Sequence, residues 1–313
     1  MIRKMKDIGS GRRLFLSNGL GAIVLLIILV CFASGTQAFS QERIIACGAD
    51  EVFILEITQK TTTPPKLIWT WKAADSPEIP SEGRSSFAST DECKPVGESI
   101  LITSSSGGVA LIRRNDKRCE FYTQARNAHS ACLLPEDRLA VASSFGGDEL
   151  LIYALVQPGA APTEPIARIP LLGAHGVVWD EALDRLWALG EDELLLVNIN
   201  VGSNDSALGI DKRIRLPTPG GHDLSRSRDA TVLYVTTNKH VYRFHTKDGR
   251  FVPDPVLADE PKVKSVSEHP RTGEIVYHQG TPENWWSDRI RFIGDRKEIH
   301  LPGRRLYKVR WDE

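Results

Sequence analysis

Helical periodicity is missing from residue 39 onward. That excludes a helical bundle and any fold built on amphipathic helices. Cysteine is scarce. Four of the five lie beyond residue 38, as Cys47, Cys93, Cys119 and Cys132. Their spacing matches no metal finger and fixes no disulfide pairing, and unpaired buried thiols are an equal expectation. There is no Gly-x-Ser-x-Gly elbow, no phosphate-binding glycine loop and no His-Glu-x-x-His, so no familiar hydrolase, nucleotide-binding or zinc-protease motif is present. A surplus of positive charge is absent too. Residues 1–38 hold five basic side chains (Arg3, Lys4, Lys6, Arg12, Arg13) and one acidic one (Asp7). Without them the totals fall from 39 basic and 40 acidic residues to 34 and 39, a net charge near −5. Such a surface gives no electrostatic reason to bind nucleic acid.

The one strong apolar run, residues 20–32, is short for a membrane span of roughly 20 residues. Basic residues precede it and Thr36-Gln37-Ala38 follows with a small-residue cleavage site. This is the layout of a secretory signal. Within it, Ser10-Gly11-Arg12-Arg13-Leu14-Phe15-Leu16 resembles a twin-arginine export signal, which implies a bacterial source. The expectation is a signal peptide at 1–38 and one domain at 39–313. The mature chain is then periplasmic or extracellular, monomeric, and without stable membrane insertion after cleavage.

What the sequence does contain is a period. Six segments each carry one basic residue at matching points: Lys94, His129, His175, His222, Lys264 and Lys308, separated by 35, 46, 47, 42 and 44 residues. Such a spacing marks repeated supersecondary units. After five of these positions comes a β-rich run (99–104, 138–143, 185–189, 231–236, 274–278), then a turn and a second run (109–113, 149–155, 193–199, 240–245, 289–293). A further strand closes each unit (120–122, 166–169, 212–216, 251–257, 297–301). At the N-terminus, 43–47, 51–57 and 66–71 match a unit lacking its first strand, and 306–311 supplies a first strand with nothing after it. Joining the two ends completes six four-stranded units. The sequence therefore predicts an all-β, six-bladed β-propeller whose ring closes without an exposed sheet edge.

Unit grammar such as Trp179-Asp180-Glu181-Ala182-Leu183-Asp184-Arg185-Leu186-Trp187-Ala188 resembles six-bladed propellers of the gluconolactonase and NHL-repeat kind. The segments Asn127-Ala128-His129-Ser130, Ala174-His175-Gly176-Val177-Val178-Trp179-Asp180, Gly221-His222-Asp223-Leu224 and Trp285-Trp286-Ser287-Asp288 together resemble a family of exported bacterial propellers of undefined function. A more distant resemblance is to oligogalacturonate lyase, whose propeller gathers three histidines and a glutamine around a divalent metal. Only the histidine trio carries over; Gln279 is a candidate for the glutamine by position alone.

The first strand of each propeller blade lines the central channel, so the six basic residues are expected to converge on one axis. His129, His175 and His222 suit a divalent metal (Mn, Zn, Fe or Ni) with open coordination positions. Lys94, Lys264 and Lys308 would complete the circle and neutralise an anion. Lys264 or Lys94, with a lowered pKa, is the expected base, and Lys308 a substrate contact. Asn127 and Asp223 flank histidines and could orient them. Trp285 and Trp286 sit on the longest hairpin loop, where one would stack on a sugar and the other pack. Arg84 belongs to a long segment, 81–91, expected as a flap. Weighed singly, each axial residue is as readily a structural group satisfying backbone at a crowded strand end. The leading expectation is a pocket for an acidic glycan or other anionic small molecule, cleaving uronate saccharides as a metal-dependent carbon–oxygen lyase. The alternative is a non-catalytic ligand- or protein-binding scaffold. A lactonase-like hydrolase is disfavoured because its usual site includes carboxylates, of which the axis is expected to have few.

Overall fold

Strands of this chain are apolar on both faces because each sheet is a wall between two cores. In the strand Ser99–Ser104 every residue is buried; Ile100 and Ile102 enter one apolar cluster, and Leu101 enters the next. In Arg185–Leu189, Leu186 and Ala188 face one cluster, while Trp187 and Leu189 face another. Alternation here sorts side chains between two interiors rather than between core and water. Near-continuous hydrophobic runs of strand length follow from that.

The computed structural model describes residues 41–58, 64–156, 164–199 and 208–313, all within one compact unit that spans 39–313. The expected signal peptide lies outside the described residues. Six antiparallel four-stranded sheets are present. The first combines β1 (Glu42–Gly48), β2 (Glu51–Ile57) and β3 (Lys66–Trp71) with the last strand of the chain. The second holds β4 (Thr90–Val96), β5 (Ser99–Ser104), β6 (Gly108–Arg113) and β7 (Cys119–Gln124). The third holds β8 (Ala128–Leu134), β9 (Arg138–Ser143), β10 (Glu149–Ala154) and β11 (Ala167–Pro170). The fourth holds β12 (Gly176–Asp180), β13 (Arg185–Leu189), β14 (Glu193–Asn198) and β15 (Gly209–Arg215). The fifth holds β16 (Asp223–Arg226), β17 (Val232–Thr236), β18 (Val241–His245) and β19 (Arg250–Pro253). The sixth holds β20 (Val263–Glu268), β21 (Ile275–Gln279), β22 (Arg289–Ile293) and β23 (Ile299–His300). The final strand, β24 (Lys308–Trp311), pairs with β1, matching Ile44 to Trp311 and Cys47 to Lys308.

This is the six-bladed propeller that the period predicts. Six apolar clusters fill the six gaps between consecutive blades, including one that joins Val276 and Ile290 of the last blade to Ile44, Phe53 and Trp311 of the first. The inner strands contact one another in the order β4, β8, β12, β16, β20, β24 and back to β4. At the seam a side chain on Gly48 would overlap the Arg305 carbonyl, so only glycine lets β1 approach the returning C-terminal segment. Cys47, Cys93, Cys119 and Cys132 are all free thiols.

The segment expected as a flap is instead a short 3₁₀ helix, Ser81–Phe87, packed on the second blade. Phe87 is buried against Trp71, with ring centroids 5.3 Å apart, and also meets Tyr122. Apolar burial of Phe87 ties this helix down.

Candidate functional site at the channel axis

Register shows which residues are equivalent around the axis. Ala128 pairs with Ser143 and Ser130 with Ala142, so His129 is an extra, bulged residue at the start of β8. Asp91 is bulged in the same way between Thr90 and Glu92, as is Lys264 between Val263 and Ser265. His175, His222 and Tyr307 each donate their backbone N–H to the second strand immediately before pairing begins, at Leu189, Thr236 and Cys47. The six equivalent positions are therefore Asp91, His129, His175, His222, Lys264 and Tyr307. The sequence reading is right at four blades. It is displaced by one residue at Lys308 and by three at Lys94.

A local device sets this geometry. In four blades the residue two positions earlier has a positive φ: Asn127 (51°), Gly173 (55°), Gly220 (88°) and Lys262 (56°). This left-handed step turns the chain sharply into the inner strand. The carbonyls of two such residues then accept from the ring: His129 Nδ1 donates to Asn127 O (3.1 Å), and His175 Nδ1 donates to Gly173 O (2.7 Å). A carbonyl can only accept, so both protons sit on Nδ1 and both Nε2 lone pairs remain for other partners. Asn127 thus orients His129 as expected, but through its backbone; its side chain donates to the Phe145 carbonyl.

The rings stand close together, with centroids 4.4 Å apart for His129 and His175 and 5.1 Å for His175 and His222. Burial lowers the pKa of all three. His175 is held well below the usual range, by burial and then by its two histidine neighbours, and His222 is brought down to about 3 by burial and Lys264. His222 Nε2 lies 2.8 Å from Lys264 Nζ and 2.6 Å from Asn238 Oδ1, while its Nδ1 is buried without a partner. One ring nitrogen cannot both donate to Asn238 Oδ1 and accept from Lys264: a proton on Nε2 requires a neutral amine beside it, and a bare Nε2 suits an ammonium. Lys264 is 5% exposed and forms no ion pair with a carboxylate among the described residues. Burial, then Lys262 and Lys308, brings its pKa down to about 7. Tyr307 completes the ring, 6.0 Å from His129 between ring centroids, with burial raising its pKa well above the usual phenol value.

Lys308 lies among groups that plug the channel. Its Nζ donates to Glu92 Oε2 (3.2 Å) and Asp223 Oδ1 (3.1 Å). Arg310 grips the same two carboxylates, donating to Glu92 at 3.1 and 3.0 Å and to Asp223 at 2.7 and 2.6 Å. All four side chains are buried. Burial pushes both carboxyls up, yet Arg310 and Lys308 outweigh it and hold them below their ordinary values, with Lys94 adding to the effect at Glu92. Two expectations need correcting. Lys308 is an internal counter-ion, and Asp223 serves this plug rather than His222. Among the described residues the axis holds three carboxylates: Glu92 and Asp223 are engaged by these cations, and Asp91 accepts from the Ser105 backbone N–H.

Lys94 is also displaced from its expected role. Its Nζ donates to Ser130 Oγ (3.0 Å), Ala131 O (3.1 Å) and Val177 O (2.8 Å). Three acceptors use all three ammonium protons, so Lys94 clamps inner strands and is not free to act as a base. Arg84 has no hydrogen bond or ion pair to the ring among the described residues, and its Nε is buried without a partner. Trp285 is 48% exposed and lies 5.5 Å from Tyr307 between ring centroids; Trp286 is half-buried beneath the Arg305 guanidinium. Phe145, also exposed, meets His175 on another side of the ring. Gln279 faces away, bonded to Glu260, the Pro261 carbonyl and Arg291.

Among the described residues, no group of three or more His, Cys, Asp or Glu side chains is arranged to hold a metal ion. The Nε2 atoms of His129 and His175 are suitable donors, whereas that of His222 is engaged by Lys264 and Asn238. Asp91, Tyr307 and Asn238 are the ring members and partner that sequence reasoning misses. The left-handed step two residues before the axial position is the signal that could align the blades.

Residues 45–312 match a family described as a family of unknown function (DUF6528). The chain belongs to this family. None of the curated proteins matches this DUF6528 member. Similar solved structures include two crystal structures, each described as a "putative 6-phosphogluconolactonase". One, from Bacteroides uniformis ATCC 8492, has 11% identity and a TM-score of 0.52, covering 86% of this chain and 81% of that one. The other, from Bacteroides fragilis NCTC 9343, has 10% identity and a TM-score of 0.55, covering 87% and 98%. At such identity these likenesses carry the propeller fold to this DUF6528 chain, and its chemistry rests on its own residues. Among the described residues no helix is long and apolar enough to cross a membrane.

Proposed function

We propose that the histidine end of the channel binds a small acidic carbohydrate, with Lys264 as the group that meets its carboxylate. The observation that carries this reading is an enclosed amine, next to three uncharged imidazoles, that forms no ion pair with a carboxylate. A buried cation without a counter-ion is costly, and an anionic ligand would relieve it. The surroundings suit a sugar. The Nε2 lone pairs of His129 and His175 can accept from hydroxyls, and the exposed faces of Trp285 and Phe145 offer stacking surfaces at two sides of the ring.

The same groups support β-elimination as the reaction. In this reaction Lys264 would act in its neutral form, and so not as counter-ion to the carboxylate, taking the proton from the adjacent carbon. The β carbon–oxygen bond would break as the double bond forms, and Tyr307, kept protonated by burial, would give its proton to the departing oxygen. A divalent metal, if bound, would draw on His129 and His175 and supply neutralisation of the carboxylate. We also propose that residues 1–38 direct export, so that mature protein begins after Ala38, which N-terminal sequencing of the secreted form would show.

The decisive experiment is calorimetric titration with oligogalacturonate and its neutral methyl ester, alongside elemental analysis. Wild type should prefer the acid. Lys264→Met should weaken that binding by about tenfold or more. Affinity should fall as pH rises through about 7 and the amine loses its charge, while any elimination rate should rise over the same interval. Equal binding of acid and ester, or an unchanged Lys264→Met, sinks the reading. Stoichiometric metal that disappears in His129→Ala would favour metal-assisted lyase chemistry. Binding with neither metal nor unsaturated product would leave a carbohydrate-binding module.

A further inference from the structure

At the end of the channel opposite the histidines, the C-terminal halves of the inner strands surround a cleft of about 670 Å³. That is within the range of roughly 300–1,000 Å³ usual for small-molecule sites. Its floor includes Arg310 and Lys94, the near side of the ionic plug, so it is separated from the histidine ring by buried charge. Pro95, Leu133, Trp179 and Trp311 give it apolar walls. Arg226 and Arg228 stand exposed at its edge, and neither forms an ion pair among the described residues. Arg226 donates to the Trp179 carbonyl, and the Arg228 side chain lies along Gly273.

Three carboxylates line this cleft: Glu181 is exposed, and Glu268 and Glu313 have partners. Glu313 is held by His269 and Arg271, and Glu268 Oε2 accepts from Ser227 Oγ, Tyr234 Oη and the Arg228 backbone N–H. Beneath, three cations (Lys94, Lys308, Arg310) share two carboxylates (Glu92, Asp223). The exposed guanidiniums of Arg226 and Arg228 thus stand without a carboxylate partner among the described residues, beside half-buried Pro95, Val96 and Leu133. We infer that this cleft is a second binding site, independent of the histidine ring, for a compact organic oxyanion on a flat apolar body. The guanidiniums of Arg226 and Arg228 would take the carboxylate or phosphate group, for which their planar donor pairs are suited. The apolar body would lie against Pro95, Val96 and Leu133.

The test uses 1-naphthoate, 1-naphthyl phosphate and neutral 1-naphthamide as probes of the intact protein, followed by calorimetry. Both anions should bind more tightly than the amide, and the tighter of the two identifies the head group. Arg228→Glu should weaken the anions by about tenfold or more, with Arg228→Lys restoring part of the loss. Lys264→Met, at the far end of the channel, should leave all three unchanged. No anion binding, equal affinity for the amide, indifference to Arg228→Glu, or loss in Lys264→Met would each overturn the inference.

Discussion

Deleting residues 306–313 should abolish cooperative unfolding, although it removes only eight residues. The segment contains β24, the inner strand of the first blade, and with it Leu306, Val309 and Trp311 of the core that closes the ring. It also carries Lys308 and Arg310, the two cations that Glu92 and Asp223 face in the buried plug. Removing them leaves two carboxylates in a desolvated interior with only Lys94 near Glu92, at 3.8 Å. Leaving one buried charge unpaired costs on the order of 3–5 kcal/mol, against a total stability of roughly 5–15 kcal/mol for a typical domain. The single substitution Arg310→Ala isolates the electrostatic part. It should lower the denaturation midpoint strongly in urea at unchanged slope. Adding Glu92→Gln should recover part of the loss, because the charge left without its partner is then gone. Arg310→Ala with near wild-type stability would show that the plug is not a supporting element.

Lys264→Met should make the protein more stable at neutral pH and below, the reverse of what most buried substitutions do. The folded-state pKa is about 7, below the ordinary lysine value of 10.5. Below pH 7 the amine is protonated in both states and contributes no pH dependence, but the folded state carries the full burden of an enclosed ammonium. Between 7 and 10.5 the unfolded chain keeps a proton that the folded chain has released, so wild-type stability rises with pH across that window. The slope from this one group approaches about 1.4 kcal/mol per pH unit. Methionine removes both the burden and the slope, so denaturant titrations at pH 6, 7, 8 and 9 should show the variant ahead at pH 6 and the gap closing upward. Parallel pH profiles for the two proteins would mean that Lys264 holds an ordinary pKa, and its role as a poised base would fall with it. The histidines act separately: their lowered values make stability decline as pH falls below about 6.5, since the unfolded chain takes up protons that the folded ring resists.

Ring closure, blade number and strand order are legible in the sequence because they depend on local pattern. Two apolar faces per strand, a turn after each, and one unit split between the chain ends can be counted without coordinates. Four of the six axial residues are legible because each is a basic side chain recurring at the blade period. In the second and first blades the axial residue is not basic, and there the count slips to Lys94 and Lys308, hiding Asp91 and Tyr307. Pairing register decides those positions, and register is a property of two strands rather than one.

The partners of each charge are also beyond one-dimensional reading. Glu92, Asp223, Lys308 and Arg310 come from three blades, up to 218 residues apart, and meet only because the ring closes. A sequence shows that basic residues recur. Whether each meets a carboxylate, a carbonyl or nothing is set by the axis, where desolvation makes an unpaired charge expensive and a paired one quiet. The repeat alone is enough for the propeller and its histidine trio. Tertiary structure separated Lys264, which meets no carboxylate among the described residues, from the cations that hold the channel shut.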